Sequence, residues 1–147
     1  MRRIKREIES HSRRAVAATE MALILPVLML IVLGAVDFGR FAHAHIAVTN
    51  AARAGAGYGI MNPYTTTTES LWQTNVRSAV LEEMSHVVAN SSFSDSDVNV
   101  ETGRTIEISG MQRINITVSF PFQTIVPWPG IPNQVTMSRR IVMRVIR

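Results

Sequence analysis

Residues 15–36 read AVAATEMALILPVLMLIVLGAV and carry a single charged side chain, that of Glu20. A helix of this length covers about 33 Å at 1.5 Å per residue, which is close to the roughly 30 Å hydrocarbon thickness of a bilayer. Pro26 interrupts the apolar run, but membrane helices tolerate proline better than soluble helices do. The sequence therefore predicts one transmembrane helix over residues 15–36.

The positive charge of the chain is concentrated before this stretch. Residues 1–14 carry six basic and two acidic side chains, whereas the rest of the chain carries nine of each. The net charge of +4 therefore arises from the N-terminal segment. The positive-inside rule predicts that residues 1–14 form a cytoplasmic tail and that the C-terminal part lies on the other side. A terminal block of charge is not the basic folded surface of a nucleic-acid-binding domain, so no nucleic-acid partner is expected.

Two alternative roles for the apolar stretch remain open from the residues alone. Residues 42–44, Ala-His-Ala, fit a small-x-small site, so signal peptidase could release a small exported binding module after Ala44. Against this, the apolar run is as long as or longer than the hydrophobic region of a signal peptide, which usually has about 7–15 residues. The second alternative is a permanently anchored envelope protein.

The helix is predicted to continue outside the membrane over residues 37–60. Apolar or large side chains recur there every three or four residues, which marks one helical face. These are Phe38, Phe41, His45, Val48 and Ala52. Gly55, Gly57 and Gly59, followed by Asn62-Pro63, are predicted to end the helix.

Residues 61–147 are predicted to form an exported α+β domain. Helical spacing predicts a second helix over residues 69–90, with Trp72 and Met84 in the core. Alternating β-branched residues predict strands, separated by turns at 102–103 and 109–110. The predicted strands cover residues 98–101, 105–109, 113–122 and 135–146. A single helix on a three- or four-stranded antiparallel sheet fits this order.

A proline-rich segment, residues 126–132, is predicted to be a loop because its three prolines cannot join a strand ladder. Trp128 lies at its tip. We consider two roles for Trp128: a contact with a partner, or packing against the sheet.

The N-terminal pattern resembles a known family. Residues 13–40, RRAVAATEMALILPVLMLIVLGAVDFGR, resemble the N-terminal region of the TadE-like family, which comprises pilin-like proteins of the bacterial tight-adherence (Flp-type) pilus machinery. The resemblance continues through residues 50–56, NAARAGA, and returns weakly at residues 116–122. It implies a pilin-like α+β fold and a minor pilin or pseudopilin in the bacterial inner membrane. The implied partners are other pilin-like subunits and the Tad pilus machinery; no cofactor is implied.

The resemblance also implies a role for Glu20. Related pilins are cut by a prepilin peptidase so that a glutamate becomes the fifth residue of the mature chain. Counting back from Glu20 places the cut between Ala15 and Val16, and the freed α-amine of Val16 would pair with Glu20 of a neighbouring subunit. This chain has alanine at position 15 where the family pattern has glycine, and Met21 where the pattern has an aromatic residue.

The residues indicate no catalytic chemistry. The chain has no cysteine, which excludes disulfides, thiolate metal sites and a cysteine nucleophile. His43 and His45 are two residues apart and therefore do not share a helix face as a metalloprotease pair would. Asp95 and Asp97 lie in a serine-rich segment that reads as a surface loop. We therefore predict that the protein is not an enzyme.

Overall fold

The computed structural model describes residues 2–106 and 111–145, with side chains from residue 15 onward. Its elements are α1 (Arg2–Met61), α2 (Glu69–Ala89), a 3-10 turn (Asp95–Asp97), β1 (Asn99–Ile106), β2 (Gln112–Gln123) and β3 (Gln134–Arg144). The strands form an antiparallel sheet in the order β1-β2-β3. The predicted α+β, pilin-like fold is confirmed. The chain divides into two compact units, Met1–Phe38 and Gly39–Arg147.

The N-terminal unit is the first part of α1. The helix continues through Pro26, which has no N–H to donate to the carbonyl one turn earlier. From residue 16 to residue 38, the large apolar side chains other than Leu33 are between 46% and 77% exposed, and Leu33 is half-buried. The unit therefore presents apolar side chains outward.

The C-terminal unit, which we call the head, has a core built by the end of α1, α2 and the sheet. Strand β2 alternates strictly, with every second side chain buried; the buried ones are Ile114, Ile116, Val118, Phe120 and Phe122. Helix α2 contributes Trp72, Val76, Val80 and Met84, which confirms the predicted core positions of Trp72 and Met84. Helix α1 contributes Ala44, Val48, Ala51, Ala52 and Ala56.

The core differs from the predicted single helix on a sheet, because α1 also packs into it. A Cβ added to Gly55 would lie 2.8 Å from Val80 and 3.4 Å from Ile116. Gly55 and Gly59 are both buried, so they do not end the helix as predicted. They allow close approach of α2 and β2 instead, and α1 ends at Met61, directly before Asn62-Pro63.

The sheet has three strands, which is the smaller of the two numbers predicted from the sequence. Strand β1 is continuous, so the predicted turn at residues 102–103 is wrong: Thr102 pairs with Ile116 and Gly103 with Asn115. Pairing with the long central strand β2 keeps Thr102-Gly103 within β1, although this dipeptide on its own would favour a turn. The other predicted turn, at residues 109–110, lies outside the described residues.

Candidate membrane anchor and contact surfaces

Helix α1 is long and apolar enough to cross a membrane. The stretch Ala15–Met61 contains an 18-residue window with a mean hydropathy of 2.5, and only 6% of that window is buried within the protein. The core helix of a soluble protein passes the same hydropathy test but buries its apolar side chains. The N-terminal unit leaves them exposed, which is compatible with a single-pass membrane anchor.

The three residues of the predicted processing site lie on the N-terminal side of this apolar stretch. Ala15, Val16 and Glu20 are all within α1, and all three are exposed. The hydroxyl of Thr19 donates a hydrogen bond to the carbonyl oxygen of Val16 over 2.7 Å. This bond satisfies the hydroxyl within its own helix. Glu20 is the charged side chain within residues 15–36, and charged side chains inside a membrane helix usually have a partner.

The head contains an open groove of about 340 Å³ between α1, the end of α2 and the end of β2. Three basic or imidazole side chains line it: Arg40, His43 and His86. Its apolar wall includes Phe93 and Phe122, and none of its lining residues is acidic. The groove therefore combines aromatic surface with groups that favour negative charge.

Arg40 connects α1 to the end of β2. Its Nη1 atom donates to the carbonyl oxygen of Gln123 over 3.4 Å, and its guanidinium carbon lies 5.5 Å from the centroid of the Phe122 ring. Phe41 packs edge-to-face on the same ring at a centroid distance of 5.4 Å. These contacts hold the beginning of the β2–β3 loop, residues 124–133, against α1. Local sequence patterns did not reveal them because Arg40 and Gln123 are 83 residues apart.

The β2–β3 loop is closed by backbone hydrogen bonds. Thr124 N–H donates to the carbonyl of Asn133 at 3.0 Å, and Ile131 N–H donates to the carbonyl of Trp128 at 3.2 Å. Gly130 has a φ of 82°, a left-handed conformation that favours glycine at this turn. The predicted loop at residues 126–132 is confirmed. Ile125 and Ile131 are 57% and 60% exposed, while Trp128 is half-buried.

The acidic loop after α2 is organised by its own hydrogen bonds. The backbone N–H and the hydroxyl of Ser94 donate to Asp97 Oδ2 over 2.8 and 2.9 Å. These bonds lower the pKa of Asp97 from its usual value, with the backbone bond as the larger cause. The carboxylate therefore caps the 3-10 turn. Among the side chains that the structure describes, those of residues 15–106 and 111–145, no group of three or more His, Cys, Asp or Glu could hold a metal ion.

Similarity to known proteins is concentrated in the first helix. A family model described as TadE-like protein matches residues 15–57. This range contains Glu20 as well as the small side chains through which α1 enters the head core. No curated protein and no solved structure matches the chain. The TadE-like family is a structural kind of protein associated with the Tad pilus. The match confirms the resemblance predicted from the sequence: residues 15–57 of this chain are similar to the TadE-like family.

Proposed function

We propose that this protein is a non-enzymatic minor pilin or pseudopilin of a Tad (Flp-type) pilus assembly or secretion system. One observation carries the proposal: the family match over residues 15–57 covers an exposed apolar helix that contains a carboxylate, Glu20. Such a helix is suited to lateral association in a membrane or a filament. The head, Gly39–Arg147, is the folded part that follows it.

In this proposal, Glu20 sets the register between neighbouring subunits. Placing a carboxylate at the centre of a membrane helix costs about 2.5–3.5 kcal/mol on translocon scales, although snorkelling reduces the cost near an interface. Prepilin peptidase would cut between Ala15 and Val16 and create a new α-amine. That amine, on a neighbouring subunit, would supply the cation that pairs with Glu20.

The proposed location is the bacterial inner membrane, with residues 1–14 in the cytoplasm and the head in the periplasm. The six basic side chains before the span support this orientation. Its proposed partners are pilin-like subunits, the prepilin peptidase and the Tad machinery. Mature subunits would leave the membrane when they enter a surface pilus.

The alternative of release after Ala44 is less well supported by the fold. Ala44 lies within α1 and is only 3% exposed in the head core. Cleavage there requires an accessible, non-helical substrate segment, and it would leave the α1 core residues at a frayed terminus. The anchored-envelope alternative differs from our proposal in that the protein stays uncleaved in the membrane and never enters a filament.

The test is the N-terminal residue and intact mass of the protein purified from its own host. We expect a chain that begins at Val16, and a chain that begins at Met1 in a strain lacking the prepilin peptidase. A chain that begins at His45 would contradict the proposal and support the released module.

The role of Glu20 is tested by Glu20→Gln, with Glu82→Gln on the exposed side of α2 as the matched control. We expect Glu20→Gln to reduce the protein in sheared surface fibres while its amount in the membrane is unchanged. Glu82→Gln should leave both amounts unchanged. Equal incorporation of both variants would contradict the register role, and absence of the wild-type protein from fibres would favour the anchored-envelope alternative.

A further inference from the structure

We propose that the β2–β3 loop, residues 124–133, lies in the interfacial layer of the lipid bilayer, with Ile125, Trp128 and Ile131 as its contacting side chains. The inference rests on the proposed membrane anchoring through residues 15–36. It adds a second contact with the membrane, made by the head, that the family match does not cover.

The first argument is the composition of the loop and its flanks. No Asp, Glu, Lys, Arg or His occurs from residue 121 to residue 138. Ile125 and Ile131 are more than half exposed, and Val135 at the start of β3 is 44% exposed. Exposed apolar side chains gathered in one uncharged segment are typical of a binding or membrane surface rather than of an ordinary solvated loop.

The second argument is where the loop begins. The contacts of Arg40 and Phe41 with Phe122 and Gln123 hold its first residues against α1. Arg40 follows Val36, the last residue of the predicted span, by only four residues. Four residues span at most about 14 Å even when fully extended, so the length of the chain itself limits the distance between these two positions. The chain therefore tethers the start of the loop close to the membrane surface.

The third argument is the chemistry of the side chains. Tryptophan is enriched at membrane–water interfaces, where its ring is partly buried and its N–H stays near polar groups. Pro127, Pro129 and Pro132 restrict the loop backbone, so little conformational entropy is lost when the loop enters the interface. Arg40, which lines the groove at the base of the loop, places a cationic group where anionic headgroups lie.

A neighbouring protein subunit is the competing occupant of this surface. The bilayer is favoured because the loop starts beside the helix turn that follows the span, and because it offers apolar side chains without charged groups to define a specific protein contact. Obligate protein interfaces are also apolar, so the two occupants must be separated by experiment.

The test uses the full chain in nanodiscs of phosphatidylcholine and phosphatidylglycerol, with and without brominated phosphatidylcholine as a fluorescence quencher. The chain has two tryptophans, and Trp72 is an internal control because it is 5% exposed and stacks on Tyr64 in the head core. Trp72→Phe isolates the emission of Trp128, and Trp128→Phe isolates that of Trp72. We expect bromolipid to remove about half of the Trp128 emission, as for an interfacial tryptophan, and little of the Trp72 emission.

If Trp72→Phe does not fold, the Trp128 signal is obtained as the difference between the wild-type protein and Trp128→Phe. Ile131→Asp should abolish the quenching of Trp128. Leu71→Asp is the matched control, because Leu71 on α2 is 61% exposed and Ile131 is 60% exposed. Leu71→Asp should leave the quenching unchanged.

A third tryptophan separates failure of the loop contact from failure of the anchor. Leu28→Trp, in a chain lacking Trp128, reports the span itself. Quenching at position 28 without quenching of Trp128 would overturn the loop contact and leave the anchor intact. No quenching at position 28 would overturn both. Trp128 emission that changes only with the number of protein copies per disc would assign the loop to a subunit contact and overturn the bilayer contact.

Discussion

The two parts of helix α1 differ in the exposure of their apolar side chains. From residue 16 to residue 38, its large apolar side chains other than Leu33 are 46% to 77% exposed. From residue 44 to residue 56, its core-facing side chains are at most 3% exposed, and all but Val48 are alanines. The same secondary structure therefore serves two environments, and side-chain size distinguishes them.

The physical reason lies in what surrounds each part. Apolar surface left in water costs roughly 25 cal/mol per Å², so a long exposed row of leucine, isoleucine and methionine requires an apolar medium. Small side chains bury little area themselves, but they let neighbouring elements approach closely. At Gly55 and Gly59 the approach is so close that an added Cβ would lie 2.8 and 3.0 Å from side chains of α2.

The largest expected effect comes from placing the same charge in each part of α1. Val48→Asp would bury an unpaired carboxylate at a position only 1% exposed, and we expect it to cost the head about 3–5 kcal/mol or more. Val32→Asp, at a position 57% exposed, should leave the stability of the head unchanged but reduce membrane insertion, at a cost of about 2.5–3.5 kcal/mol.

Urea unfolding in detergent, followed by Trp72 fluorescence, measures the stability of the head. Alkaline extraction of membranes measures insertion. Equal loss of head stability in the two variants would show that the two parts of α1 do not differ in the way described.

A medium effect is expected from adding one methyl group to α1. Gly55→Ala would place its Cβ 2.8 Å from Val80, which must then shift, and overpacking of this kind costs about 1–3 kcal/mol. Gly57→Ala is the matched control, because no atom lies within 4 Å of its added Cβ. Its higher helix propensity should stabilise the head by about 0.5–1 kcal/mol. The same urea titration checks both, and equal shifts in the same direction would contradict the packing described.

The smallest expected effect concerns the polar loop after α2, which is held by side-chain hydrogen bonds and not by the apolar contacts that distinguish the two parts of α1. The pKa of Asp97 is lowered by the two hydrogen bonds from Ser94. Because the folded pKa lies below the unfolded one, this stabilisation is present above the unfolded pKa and is lost as the pH falls through the folded pKa. Ser94→Ala removes only the hydroxyl bond, so the pKa should rise partway towards its usual value. An NMR titration of the Asp97 carboxyl that shows no rise would contradict this assignment.

Local patterns predicted those elements that have a strong period. The alternation of residues 114–122 predicted β2, and the spacing around Trp72 and Met84 predicted α2. The turn at residues 102–103 was predicted wrongly because pairing with β2 outweighs the local preference of Thr102-Gly103. The groove and the Arg40–Gln123 contact join residues far apart in the chain, so no local pattern indicates them. The roles of Ala15, Val16 and Glu20 depend on a peptidase and on neighbouring subunits, and they stay predictions.

The most direct test of the contrast within α1 is labelling of single cysteines in cells, which is straightforward because the chain has no native cysteine. The positions are Ser12→Cys in the tail, Leu28→Cys in the span and Leu71→Cys on an exposed site of the head. The cells lack the prepilin peptidase, so that residues 1–15 stay attached to the chain. With a membrane-impermeant maleimide, we expect intact spheroplasts to label position 71 only, and lysed cells to label position 12 as well. Position 28 should react only after detergent or denaturant is added. Labelling of position 28 in intact membranes, to the same extent as position 71, would contradict the account.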